Sequence, residues 1–197
     1  MRASCYTYLQ EQGDMRICQV VNGLAPETTG GTEIYAAGLA KELVRQGNAV
    51  SVFTRSASPN VAEYQLRNTI QDGVNITQIN NNLTHAGAFS GTYENPNISE
   101  AFATWLDKMV PDVVHFQHLI YLSTSCVREA ATRNIPILMT LHDYWLICQR
   151  GRFLKPDLSV CPGQTDLGCA QCFAHLLEPR TAALNSLLGP LLRKYPS

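Results

Sequence analysis

Short apolar, β-rich runs alternate with stretches of helical spacing along most of this chain, and that alternation restricts its fold more than any other feature. Met15 to Val21 (Met-Arg-Ile-Cys-Gln-Val-Val) is an apolar run closed by the turn signal Asn22-Gly23, and it reads as a buried strand. Thr32 to Gln46 places Ile34, Ala37, Ala40, Leu43 and Val44 on one helical face, with Gly47 where a left-handed helix end falls. Ala49 to Thr54 and Val74 to Ile79 read as further strands, separated by a polar stretch, Ser56 to Asp72, that carries no clear signal. Asn80 to Pro96, rich in Asn, Gly, Thr and Ser, reads as a loop. Ile98 to Met109 is a helix with Ile98, Phe102, Trp105, Leu106 and Met109 on one side. Strand Asp112 to Phe116, helix Tyr121 to Arg133 and strand Ile137 to Leu141 follow. Repeated β-α-β units with crossovers long enough for helices imply an α/β domain, its parallel sheet covered on both faces. Right-handed crossovers make such a sheet doubly wound.

The 197 residues suffice for one well-filled domain, and 45% apolar with 16% charged residues suits a chain that buries a core. A net charge of -1 creates no field that recruits nucleic acid, so any phosphate binding has to come from a local device. No apolar run reaches the roughly 20 residues that span a bilayer. Met1 to Asp14 is polar and lacks the basic and apolar regions of an export signal, so it is expected to be a disordered tail. Seven cysteines, an odd number, without such a signal point to a reduced, cytoplasmic setting.

In a doubly wound sheet, ligands sit at the carboxyl ends of the strands. Gly30-Gly31-Thr32-Glu33 follows the first strand and opens a helix there. Adjacent glycines permit close backbone approach and positive φ, and a helix N-terminus favours an anion, typically a phosphate. Glu33 suits either a sugar hydroxyl or the helix start itself; a tight turn without a ligand accounts for the loop equally simply. The segment lacks the lysine of a P-loop and the spacing of Gly-x-Gly-x-x-Gly, and the second strand ends in Thr54-Arg55 rather than in an acid for an NAD ribose. A nicotinamide oxidoreductase is therefore disfavoured, with Arg55 leaving only an NADP variant open. His118 and His142 fall just past strand ends, where a neutral ring can hydrogen-bond a sugar hydroxyl. His115 lies inside its strand and reads as structural. Asp143, Tyr144 and Trp145 add an acid and two aromatic faces, which serve sugar platforms and core filling alike.

His142 to Phe173 holds few helical or strand signals and four of the cysteines, Cys148, Cys161, Cys169 and Cys172. Cys169 and Cys172 have the spacing of a zinc knuckle, and a long loop needs a staple. Cys148 and Cys161 are irregularly spaced, so a structural zinc site, buried thiols and a redox pair all remain open. Leucine-rich Leu176 to Tyr195 is expected to be helical, kinked at Gly189-Pro190, and to pack on its own domain or lie at a membrane surface.

Taken in order, Met15 to Val21 with Gly30-Gly31-Thr32-Glu33, Ala36 to Thr54, Pro111 to His118, and Ile137 to Trp145 resemble the N-terminal, Rossmann-like, acceptor-side half of retaining GT-B glycosyltransferases of family 4. Those enzymes build bacterial surface polysaccharides and glycolipids. The resemblance implies a single domain from residue 15 to 197, with a cysteine-rich insert at 142–174 and a terminal helix at 176–195. It implies transfer of a sugar from a nucleoside-diphosphate sugar to a hydroxyl of a glycan or lipid-linked acceptor, with retained configuration and no catalytic cofactor. His142 matches the family histidine that reaches the donor sugar. Gly30, Gly31, Thr32, Glu33, His118, Asp143 and Tyr144 are the binding candidates beside it. The family's paired glutamates and basic phosphate-binding residues belong to a second Rossmann-like domain that nothing in these residues resembles, so this half is expected to transfer little by itself. The setting implied is cytoplasmic, with contact at the inner membrane face. The contrasting reading is a non-catalytic Rossmann-like binding module with a zinc-stapled loop.

Overall fold

The computed structural model describes residues 15–84 and 89–177. They belong to two compact units that divide between His142 and Asp143. The expected N-terminal tail and nearly all of the expected terminal helix lie outside the described residues.

In the first unit, β1 (Arg16–Val21), β2 (Ala49–Ser56), β3 (Leu66–Gln71), β4 (Val74–Asn80), β5 (Val113–Phe116) and β6 (Ile137–Met139) form one six-stranded sheet in the order β3-β4-β2-β1-β5-β6. Neighbours are parallel except at the β3–β4 edge. With α1 (Gly31–Arg45), α2 (Pro96–Met109) and α3 (Ser125–Thr132), this is the doubly wound α/β architecture that the β-α-β alternation implies. The antiparallel β3 is an addition, inside the stretch Ser56 to Asp72 where the sequence carries no clear signal. Its two-residue turn is Asp72-Gly73, at φ 51° and 80°. Those left-handed angles are what a tight hairpin demands, and Asp-Gly supplies them. The strand escapes a hydrophobic reading because it is an edge, exposed along almost its whole length.

Strand alternation divides the core in two. Val21, Val50, Val52, Val74 and Ile76 pack with Ala36 and Ala40 of α1, whose short side chains let the helix lie close to the sheet. On the opposite face Phe53, Phe102, Trp105 and Phe116 form an aromatic cluster with ring centroids 5.2–6.1 Å apart. The Trp105 indole N–H donates to Thr77 Oγ1 at 3.0 Å, which in turn donates to Asn68 Oδ1 at 2.7 Å, so β3 completes the polar end of this cluster. Ile34, expected on the inner face of α1, is 56% exposed; the helix turns Ala36 inward instead.

The remaining helices follow local chemistry. Asn95 caps α2, its Oδ1 accepting from the Asn97 and Ile98 amides, and Pro96 takes the first turn, where no amide donor is needed. Helix α3 starts at Ser125 rather than Tyr121, because Tyr121 sits at φ 62° and cannot be helical. In the second unit Leu154 and Val160 bridge a hairpin, and α4 (Asp166–Leu177) replaces the loop expected up to Phe173. Among the described residues, none from Asp143 to Cys172 has a buried side chain. No described helix is long and apolar enough to cross a membrane.

Candidate functional site

The chain leaves β1 toward β2 and β4 on one side, while β5 leads to β6 on the other. In open α/β sheets the point where these directions diverge, here between β1 and β5, is where a crevice outside the carboxyl ends of the strands takes the ligand. Residues 22–31 after β1, 117–121 after β5, and 140–142 after β6 border it.

The glycine loop is held from within. Thr28 returns its amide and hydroxyl to the Leu24 carbonyl at 3.1 and 3.3 Å. Glu33 accepts from Asn22 Nδ2 at 3.2 Å, which anchors its carboxylate back to the end of β1. Gly30 occupies the N-cap position of α1 with extended backbone (φ -73°), and no side chain caps the helix. Positive φ, expected of these adjacent glycines, is found at neither Gly30 nor Gly31. What Gly30 supplies is clearance: a Cβ there would collide with the Glu33 carboxylate, whereas a Cβ on Gly31 would meet nothing within 4 Å. The result is an uncapped, exposed helix N-terminus with Thr32 and Glu33 half-buried in its first turn.

A chain of polar side chains runs beside it. His142 Nε2 lies 2.8 Å from Gln117 Oε1. An amide oxygen only accepts, so the Nε2 position carries a proton and donates it to Gln117. The Gln117 amide nitrogen lies 3.2 and 3.3 Å from the two His115 ring nitrogens, and His115 Nε2 is 2.7 Å from Thr140 Oγ1. Burial pushes the His115 pKa down and the neighbouring His142 adds to the shift, so His115 is neutral at pH 7. His115 thus orients Gln117, and Gln117 fixes the tautomer of His142. The edge of the Tyr35 ring packs on His142 with centroids 5.1 Å apart, joining α1 to the end of β6. Beneath this chain, in register with His115, lies Gln19; its amide, like the Thr54 hydroxyl, is buried with no hydrogen-bond partner.

His118 is directed elsewhere. It is 8% exposed, and its Nδ1 accepts the Ile120 amide at 3.1 Å, bracing the turn before α3. Arg55 is committed too: Nε donates to the Asn81 carbonyl at 2.8 Å and the guanidinium lies 4.9 Å from the Tyr121 ring centroid. Burial lowers its pKa, and this half-buried setting leaves the side chain bracing the end of β2 rather than open for a cofactor phosphate. Gln117, Tyr35 and Asn81 are residues that the sequence reading did not single out. Gln117 stood inside a quoted motif, between His115 and His118, yet nothing in the linear order pairs it with a histidine 25 positions away.

Asp143 and Tyr144 belong to the second unit. Asp143 Oδ1 accepts the Trp145 amide at 2.8 Å, and the Tyr144 ring packs edge-on against Phe153 at 4.9 Å. The cysteines fall into two classes. Burial raises the thiols of Cys18 and Cys126 to about 12, so they are inert core residues. Cys148, Cys161, Cys169 and Cys172 are half-exposed free thiols. At Cys148 partial burial raises the pKa, but the backbone amides of Phe153, Arg150, Arg152 and Gly151 outweigh it and lower the net value.

Solved structures that resemble the chain include the following two. One is described as trehalose-6-phosphate from E. coli bound with UDP-2-fluoro glucose; it is 18% identical, with a TM-score of 0.42, and the match covers 72% of this chain and 34% of that one. The other, the OtsA apo structure, is also 18% identical, with a TM-score of 0.37 over 63% of this chain and 32% of that one. The chain thus spans about a third of the length of either structure. No curated protein matches it. The family model described as Glycosyltransferase Family 4 matches residues 29–164, more than half of the chain, running from the loop before α1 through the hairpin that ends at Cys161. The chain belongs to Glycosyltransferase Family 4.

Proposed function

We propose that the chain forms the acceptor-side half of a retaining GT-B glycosyltransferase, which moves a sugar from a nucleoside-diphosphate sugar to an acceptor hydroxyl in the synthesis of a surface polysaccharide or glycolipid. The observation that carries this reading is the convergence, at the β1/β5 switch point of a family 4 domain, of an uncapped helix N-terminus with a histidine held in one tautomer by Gln117. The amides of Gly31 and Thr32 suit the negative charge that develops on a departing diphosphate. His142, with its ring oriented by Gln117 and Tyr35, hydrogen-bonds a hydroxyl of the donor sugar and holds its reacting carbon toward the acceptor. Glu33, anchored by Asn22, accepts from an acceptor or donor hydroxyl. Asp143 and Tyr144 of the second unit are further candidates for sugar binding, and no catalytic cofactor is needed. A second Rossmann-like domain grips the nucleotide, so the acceptor-side half by itself transfers slowly.

The test is to supply the enzyme containing both halves with a panel of nucleoside-diphosphate sugars and hydroxyl acceptors, and to read the anomeric configuration of the product by NMR. Release of nucleoside diphosphate with a product of the donor's own configuration is expected. An inverted product contradicts the retaining reading, and no transfer to any acceptor reduces the domain to a binding module.

A further inference from the structure

The described residues of the second unit show no apolar core of their own. From Asp143 to Cys172 no described side chain is buried, and Leu146, Ile147, Leu158 and Val160 are 52–77% exposed. A segment of this length without a core is marginal unless a covalent or metal staple holds it. Its backbone is nonetheless specific, and the specificity converges on cysteines. After Cys148 the chain doubles back through Gly151 and Phe153, both at positive φ (68° and 51°), and the Gly151 amide donates to the Cys148 carbonyl at 2.7 Å. The Cys161 amide then bonds the Phe153 carbonyl at 2.8 Å, which closes the hairpin and brings the second cysteine beside the first turn. Gln149 Nε2 donates to the Cys169 carbonyl at 2.5 Å, tying α4 to the same turn, and Gln164 donates to the Ile147 carbonyl. Cys169 and Cys172 stand on the first turns of α4, three residues apart and hence on one face. The tie between Gln149 and Cys169 brings Cys172, on the same face of α4, toward the turn that carries Cys148 and Cys161.

We propose that Cys148, Cys161, Cys169 and Cys172 bind one zinc ion as a closed tetrathiolate that holds the second unit together. Thiolate is the form of cysteine that binds metal. Four sulfurs suit a tetrahedral structural site and leave no open position for chemistry. Among the described residues no three His, Cys, Asp or Glu side chains are already grouped as a coordination sphere, so binding has to turn the thiols inward about their Cα–Cβ bonds. Each thiol that is not yet ionised releases its proton as the Zn–S bond forms.

Metal analysis of the tag-free full chain, purified with a thiol reductant and without chelator, tests this directly. About one zinc per chain is expected, released in step with mercurial titration of these four thiols. Cobalt(II) added after zinc removal is expected to give the visible absorption of a tetrahedral tetrathiolate. Cys148→Ser and Cys172→Ser should each lose the metal, and Cys18→Ala should keep it. A chain that takes up neither zinc nor cobalt, that carries iron instead, or that keeps full zinc content when these cysteines are replaced overturns the proposal, as does a mass spectrum showing two disulfides among the four. The unaltered chain's metal content decides the matter even if the serine variants misfold, and none of these readings depends on sugar transfer.

Discussion

His115 is tucked under the site with its pKa pressed below the ordinary 6.5 by burial and by His142, and that fixes how the protein responds to acid. The unfolded ring takes up its proton near pH 6.5 and the folded ring only at lower pH. Above pH 6.5 both states are neutral and the residue contributes no pH dependence. As the pH falls below that value the unfolded chain gains protons first, so stability drops. Urea titrations at pH 7.5 and 5.5 are expected to show this loss, and His115→Gln is expected to flatten it; an unchanged slope would remove His115 as its source. Gln19 makes a second residue-level case. Its buried amide has no partner, so Gln19→Met, similar in length and apolar, should raise stability by about 1–2 kcal/mol in the same titrations. Destabilisation would mean that the amide serves a bound group. At Gly31 a methyl group meets open space, so Gly31→Ala should be neutral or stabilising by up to about 1 kcal/mol, while obstructing close approach of a diphosphate to the helix end. The histidines and glycines were legible from their positions at strand ends. The roles of Gln117, Arg55 and Asn81 were not, because each depends on a partner more than 20 positions distant.

Among the elements, those with periodic burial were the readable ones. β1, β2, β4 and α2 carry their signals in apolar spacing and caps, and they form within one or two residues of the expected ends, α2 through its Asn95-Pro96 start. β3 and α4 were missed for opposite reasons. β3 is an exposed edge whose value lies in Asn68, the group that completes the hydrogen bonding of Thr77 and Trp105. α4 carries cysteines and glycine where a helix usually shows apolar periodicity. Its existence places Cys169 and Cys172 on a rigid face instead of in a loop. Two substitutions test element-level energetics. Asn95→Ala removes the cap of α2 and the bond to the Tyr64 hydroxyl, and should cost about 1–2 kcal/mol in equilibrium unfolding. Thr77→Val orphans the buried Trp105 N–H and should cost about 1–3 kcal/mol, with a shift in tryptophan fluorescence. If Thr77→Val leaves stability unchanged, the Trp105–Thr77–Asn68 chain is not what couples β3 to the core.

On the scale of the whole molecule, the β-α-β alternation implied a doubly wound parallel sheet, and the structure supplies the order β4-β2-β1-β5-β6 with its switch between β1 and β5. That order makes the carboxyl ends of β1, β5 and β6 the place where distant residues meet, and it brings His142 against Tyr35 in the first turns of α1, just after the glycine loop. The division at His142 and Asp143 separates two kinds of stability. The first unit rests on two apolar layers. The second, among its described residues from Asp143 to Cys172, has no buried side chain and is held by a hairpin and turn hydrogen bonds. The central claim is that the switch point is where sugar transfer occurs, with His142 on the donor sugar. The most direct measurement is the initial rate of transfer by the enzyme containing both halves, for the unaltered protein and for His142→Ala, alongside thermal unfolding of each. A rate loss of about 10²-fold or more is expected, with an unfolding midpoint close to that of the unaltered protein. An undiminished rate in a folded His142→Ala protein would contradict that claim.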